Sequence, residues 1–141
     1  SREAARAYLH RRLARGLAPD AALTVDDVGP IAVAQVDGEA DAERGATVER
    51  RPLVVRDTDL VSTLVYAGHY YGARPDWLAA AARRRRADVY LLCAPDVPWV
   101  PDPARDTPHT RDVVHEAFVA TLDALGCRVA RLNTDPTGVF A

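Results

Sequence analysis

The stretch L-V-V-R-D-T-D-L, residues 53–60, sets the reading of the chain. Leu53-Val54-Val55-Arg56 is aliphatic and largely β-branched, the composition of a short strand. It stops at Asp57-Thr58-Asp59. Helical spacing begins at once with Leu60, Val61, Leu64 and Val65 and continues to Gly72. A strand that ends in carboxylates and turns straight into a helix marks a ligand-facing edge in an α/β protein. The same residues also suit an ordinary N-cap, because Thr58 or Asp59 can accept the first free N–H groups of the helix.

The pattern then repeats downstream. Pro75-Asp76-Trp77-Leu78 opens a helix that ends in Arg83-Arg84-Arg85-Arg86. Asp88 to Ala94 is continuously apolar, as a parallel strand buried on both faces would be. It runs into C-A-P-D-V-P-W-V-P-D-P-A-R-D, residues 93–106, a loop too rich in proline for helix or sheet. Thr107 is placed to cap a helix with Pro108 at its first position, and Val114, Phe118, Leu122 and Leu125 face inward until Gly126. Cys127 to Leu132 reads as another strand. Upstream, Ser1 to Arg15 reads as a helix with a stripe of Ala5, Leu9 and Leu13. Thr24-Val25-Asp26-Asp27 resembles a capping box with Asp in place of Glu. The helix after it, carrying Val28, Ile31, Ala32 and Gln35, is expected to fade in the polar run Asp37 to Arg44. Alternating strands and helices predict one α/β domain over residues 1–141 with a mostly parallel sheet.

Composition narrows the function. A formal charge of −2 supplies no field to recruit nucleic acid. No apolar run approaches the roughly 20 residues that cross a bilayer. The arginine run 83–86 suits a solvated last turn that complements the helix dipole as well as it suits a nucleic-acid patch. Cys93 and Cys127 lie in apolar runs and are expected to be reduced core residues, which favours a cytoplasmic location. His115-Glu116 lacks the second histidine of a zincin motif. All 18 basic residues are arginine, so no lysine within these residues can hold a phosphate.

The chemistry gathers at the strand ends. Asp57 stands where a Walker B carboxylate would meet Mg2+ bridging two phosphates, since that ion prefers hard oxygen ligands. Asp59 is placed to take a proton from an attacking hydroxyl. Arg105 and Arg111 flank the start of a helix and can clamp a triphosphate. Trp99 can stack on a base or a pyridine ring, or simply anchor its loop.

At this point the chain resembles a known family. Arg56-Asp57-Thr58-Asp59-Leu60, Tyr70-Tyr71-Gly72, Ala87-Asp88-Val89-Tyr90-Leu91-Leu92, Asp96-Val97-Pro98-Trp99-Val100 and Pro103-Ala104-Arg105-Asp106 fall in the order and spacing of the NadR-type ribosylnicotinamide kinases, members of the AAA-like P-loop ATPases. Ser1 to Leu9 resembles the family's glutamate–arginine helix. Pro101 departs from the pattern, where an acidic residue is common. The resemblance implies a parallel-sheet P-loop kinase fold, Rossmann-like and three-layered. It would be N-terminally truncated, without the first strand, the glycine-rich loop, the first helix and the second strand. It implies ATP and Mg2+ as cofactors and nicotinamide riboside as acceptor. Asp57 would be the metal-side carboxylate and Asp59 the base. Arg105 and Arg111 would act on phosphates, and Trp99, Asp96 and Asp102 on the substrate. The alternatives are a regulatory nucleotide-binding module of the same superfamily and a non-catalytic interaction domain. Partners are then a nucleoside and ATP, with neither nucleic acid nor membrane. Loss of a central strand would leave apolar edges prone to self-association.

Overall fold

The computed structural model describes Tyr8 and residues 23–50, 53–98 and 108–134. The chain divides into two compact units, Ser1–Arg85 and Arg86–Ala141.

The first unit is helical. Thr24 precedes a short 3-10 turn, Val25–Asp27. The Thr24 N–H donates to Asp27 Oδ2 at 2.8 Å, so the carboxylate limb of the expected capping box forms with the shorter aspartate. Asp27 is buried and also accepts from the Tyr8 hydroxyl at 3.0 Å. Helix α1, Val28–Val48, follows, with Pro30 in its first turn, where a missing N–H costs nothing. Val28, Ile31 and Ala32 are buried.

The helix does not fade at Asp37. It continues through Gly38 and Gly45 to Val48. Side-chain bonds along and across it offset the weak propensity: Gln35 to Glu39 at 3.2 Å, Arg44 to Asp41, and the Thr47 hydroxyl to the Glu43 carbonyl at 2.9 Å. Glu39 is drawn inward by arginines from distant segments, a tertiary effect that polar composition does not reveal.

Helix α2, Leu60–Tyr71, is the centre of this unit. Leu60, Val61, Leu64, Val65 and Ala67 are buried along it, and it packs on both α1 and α3. Each fully buried Leu or Val contributes about 1.5–3 kcal/mol relative to an exposed one. Gly72, at φ 61°, closes α2 in the left-handed conformation that a side chain disfavours. Helix α3, Asp76–Arg84, buries Leu78 and Ala82, four residues apart on one face.

Among its described residues the second unit holds two short parallel strands, β1 Tyr90–Cys93 and β2 Val129–Leu132, with helix α4, Pro108–Ala124, between them in the chain. Tyr90 pairs with Val129 and Cys93 with Leu132. The ladder is extended by Tyr90 N–H to the Arg128 carbonyl at 2.8 Å and Ala94 N–H to the Leu132 carbonyl at 2.7 Å. Pro108 opens α4 as expected. Thr121, Leu122 and Leu125 are buried, and Val114 and Phe118 half-buried. Gly126, at φ 66°, turns the chain toward β2. Arg86 donates to the carbonyls of Leu125 and Gly126, tying the entry of β1 to that turn.

Further expectations are corrected. Leu53 to Arg56 is not a strand: it is irregular, with Leu53 and Val55 71% and 80% exposed. An isolated extended segment has no ladder to hold it, and none reaches this one among the described residues. The strand at Asp88 to Ala94 is shorter and open on one side, since Leu91 and Cys93 are exposed while Tyr90 and Leu92 are half-buried. Cys93 is therefore not a core residue. The run Arg83 to Arg86 is not merely a solvated turn either. Arg85 and Arg86 are both spent on internal hydrogen bonds.

Candidate functional site

The aspartates of the first unit lie on the turn into α2. Asp59 is buried at the N-cap, with an extended backbone. Its Oδ1 accepts the N–H groups of Val61 at 2.9 Å and Ser62 at 3.2 Å. The hydroxyl of Thr63 donates to its carbonyl at 3.3 Å. The capping duty that the sequence left open for Thr58 or Asp59 thus falls to Asp59. Asp57, two residues earlier, is exposed, and among the described residues nothing bonds to its carboxylate.

The loop after β1 lies in the second unit. Arg111, in the first turn of α4, donates to the carbonyls of Val97 at 2.7 Å and Pro95 at 2.6 Å. Between them, Asp96 Oδ2 accepts the Thr134 N–H at 2.6 Å. That donated hydrogen bond holds the Asp96 carboxyl below the usual carboxylate range, and the Arg111 charge adds to the effect. Arg111 and Asp96 therefore form one clasp, which ties the loops after β1 and β2 to the start of α4. Trp99, Asp102 and Arg105 lie outside the described residues, as does Thr107.

Sequence reasoning missed the groups that hold Asp57 in place. Gln35 Nε2 donates to the Thr58 carbonyl at 2.8 Å. Arg56 reaches Glu39 at 3.5 Å and also pairs with Glu43. The one available signal was the Gln35–Glu39 spacing, a single helical turn. An open apolar groove of 230 Å3 lies on the same unit, lined by Val33, Val36, Trp77 and Ala81 among others. Neither Asp57 nor Asp59 lines it.

A model of the AAA domain family matches residues 1–138. The chain belongs to that family. Proteins of this AAA kind are P-loop, nucleotide-binding domains that bind ATP with Mg2+, and the parallel β1–β2 pair with its helices is compatible with such an α/β fold. No curated protein matches the chain, and no solved structure does.

The residues of this chain fit the family's two ligands unequally. Asp57 is an exposed hard oxygen donor of the kind Mg2+ takes, and its neighbours Arg56 and Thr58 are both held. For the phosphates of ATP, the sequence of residues 1–141 contains neither a lysine nor a GxxxxGK[ST] motif.

Proposed function

We propose that this AAA domain is part of an ATP-dependent nucleoside kinase acting on the 5′-hydroxyl of nicotinamide riboside, in the salvage of NAD. The observation that carries the reading is an order of motifs. An exposed Asp57 stands at the entry of the buried helix α2, and a parallel strand, β1, is followed in the sequence by a proline-rich segment that includes Trp99 and Arg105. The acceptor oxygen would bond to the γ-phosphorus as ADP departs. Asp57 is the metal-side carboxylate. Asp59 is the candidate base, although its Oδ1 already caps α2. Arg105 and Arg111 are the arginines proposed to act on phosphate, although Arg111 already holds loop carbonyls. Trp99, Asp96 and Asp102 are the residues proposed to act on the nucleoside, by the motif they share with the kinases the chain resembles.

A second reading is favoured by one observation, the absence of a phosphate cradle and of any lysine in these residues. On that reading the domain regulates or scaffolds without transferring phosphate.

Transfer of label from γ-32P-ATP to nicotinamide riboside separates the two. The protein as encoded, with all its sequence, is expected to label the nucleoside, and residues 1–141 alone to label nothing. ATP hydrolysis without nucleoside labelling would establish the regulatory module. Absence of nucleotide binding by the whole protein would leave the interaction domain.

A further inference from the structure

Gln35 and Glu39 lie one turn apart on the same face of α1, and between them they grip the residues on both sides of Asp57. Gln35 Nε2 donates to Glu39 Oε1 at 3.2 Å and to the Thr58 carbonyl at 2.8 Å. Glu39 Oε2 accepts from Arg56 Nη1 at 3.5 Å, and from Arg85 Nε and Nη2 at 3.3 and 3.2 Å. The residue before Asp57 is thus held by its side chain, and the residue after it by its backbone. Asp57 itself is exposed between them.

In an α/β protein a strand-end loop is normally placed by the ladder of its strand. Here residues 53–56 form no strand, so side chains of α1 do the placing. Stability alone does not call for this arrangement. The Glu39 side chain is 2% exposed, and an apolar residue would fill the position without needing two guanidinium partners. A buried, multiply bonded carboxylate instead defines a single geometry for the segment it holds.

We propose that Gln35 and Glu39 are a positioning pair, which fixes the backbone around Asp57 and aims its carboxylate at a divalent cation. The inference rests on the reading of Asp57 as the metal-side carboxylate. Neither member of the pair touches the ion; both act through Arg56, Thr58 and the turn between them.

The test uses the protein as encoded and two readouts. The first is backbone amide 15N relaxation. Glu39→Gln is expected to drop the order parameters of Asp57 and Thr58 into the flexible range, below about 0.6, and to leave Leu64 and Val65 of α2 nearly unchanged. The second is Mn2+ binding in the presence of ATP, followed by electron paramagnetic resonance. Glu39→Gln should weaken it about tenfold, as loss of an orienting partner does. In an Asp57→Asn background the same change should weaken it no further. If Glu39→Gln does not fold, Gln35→Ala, which leaves the arginine pairs intact, carries both readouts. Unchanged order parameters at Asp57 and Thr58, or a full additional loss on Asp57→Asn, overturns the proposal. Wild-type protein that binds no Mn2+ with ATP overturns the kinase reading and the cation half of this one; relaxation then decides the positioning half alone.

Discussion

Arg85, just past the last turn of α3, donates from both Nε and Nη2 to one oxygen of Glu39, in the middle of α1. The contact joins residues 46 positions apart. The Glu39 side chain is 2% exposed, and that of Arg85 33%. Removing one partner of such a pair leaves the other charge in a poorly solvated site. Glu39→Ala is therefore expected to destabilise the chain by about 3–5 kcal/mol. Arg85→Ala should cost less, about 1–3 kcal/mol, because Arg56 still faces the carboxylate. Urea midpoints at constant slope measure both. Equal losses in the two variants would show that Glu39 is not the hub.

Asp59 separates a structural duty from a chemical one. As the N-cap of α2, its replacement by Ala should cost about 0.5–2 kcal/mol, and replacement by Asn almost nothing. As a base, Asp59→Asn would abolish proton transfer while leaving the melting temperature in place. Thermal melting and kcat of the whole protein, compared for Asp59→Asn, tell which duty dominates. An unchanged melting temperature together with an unchanged kcat would assign the residue to the cap alone.

The Asp96 carboxyl is held below its ordinary value of 3.8, first by the Thr134 N–H and also by Arg111. A lowered carboxylate contributes stability that is present above the unfolded value and lost as pH falls through the folded one. The clasp should therefore stand unchanged at neutral pH and down to about pH 4, and open only in stronger acid. The amide resonance of Thr134, followed through an acid titration, should show a midpoint below 3.8. A midpoint above that value would mean the hydrogen bond does not persist in solution.

Arg111 makes two charge-assisted bonds to loop carbonyls. Arg111→Ala should destabilise the second unit by about 1.5–3 kcal/mol and speed amide exchange in residues 94–98. Arg111→Lys should recover only part of that, because one ammonium lacks the planar fork that spans Pro95 and Val97. Wild-type melting and exchange in Arg111→Ala would move the residue from the clasp to the open loop.

Local signals made most of the helices legible. Gly72 and Gly126 end α2 and the turn after α4 because only glycine takes those left-handed angles without strain. Pro108 opens α4 for the reason expected of a residue without an N–H. The apolar spacing of Leu60, Val61, Leu64 and Val65 states which face of α2 is buried, whatever it packs against. The motif order that points to a nucleotide-binding α/β protein is likewise a property of the chain itself, and the AAA match over residues 1–138 agrees with it.

Strand formation and charge pairing were not legible in the same way. Leu53 to Arg56 has the composition of a strand but is irregular, because a strand exists only where another backbone supplies its hydrogen bonds. Leu91 and Cys93 look like core residues and are exposed, because burial depends on what lies over a sheet and not on the strand's own letters. The polar run 37–44 looks like the end of a helix, yet α1 passes through it, since Glu39 finds Arg56 and Arg85 only after the chain has folded back. Sequence determined the local conformations and the chemical types at the turns, where the deciding forces act between near neighbours. Tertiary structure alone decided that Arg111 clasps a loop and that Gln35 and Glu39 frame Asp57, because each of those bonds joins groups whose meeting depends on the course of the whole backbone.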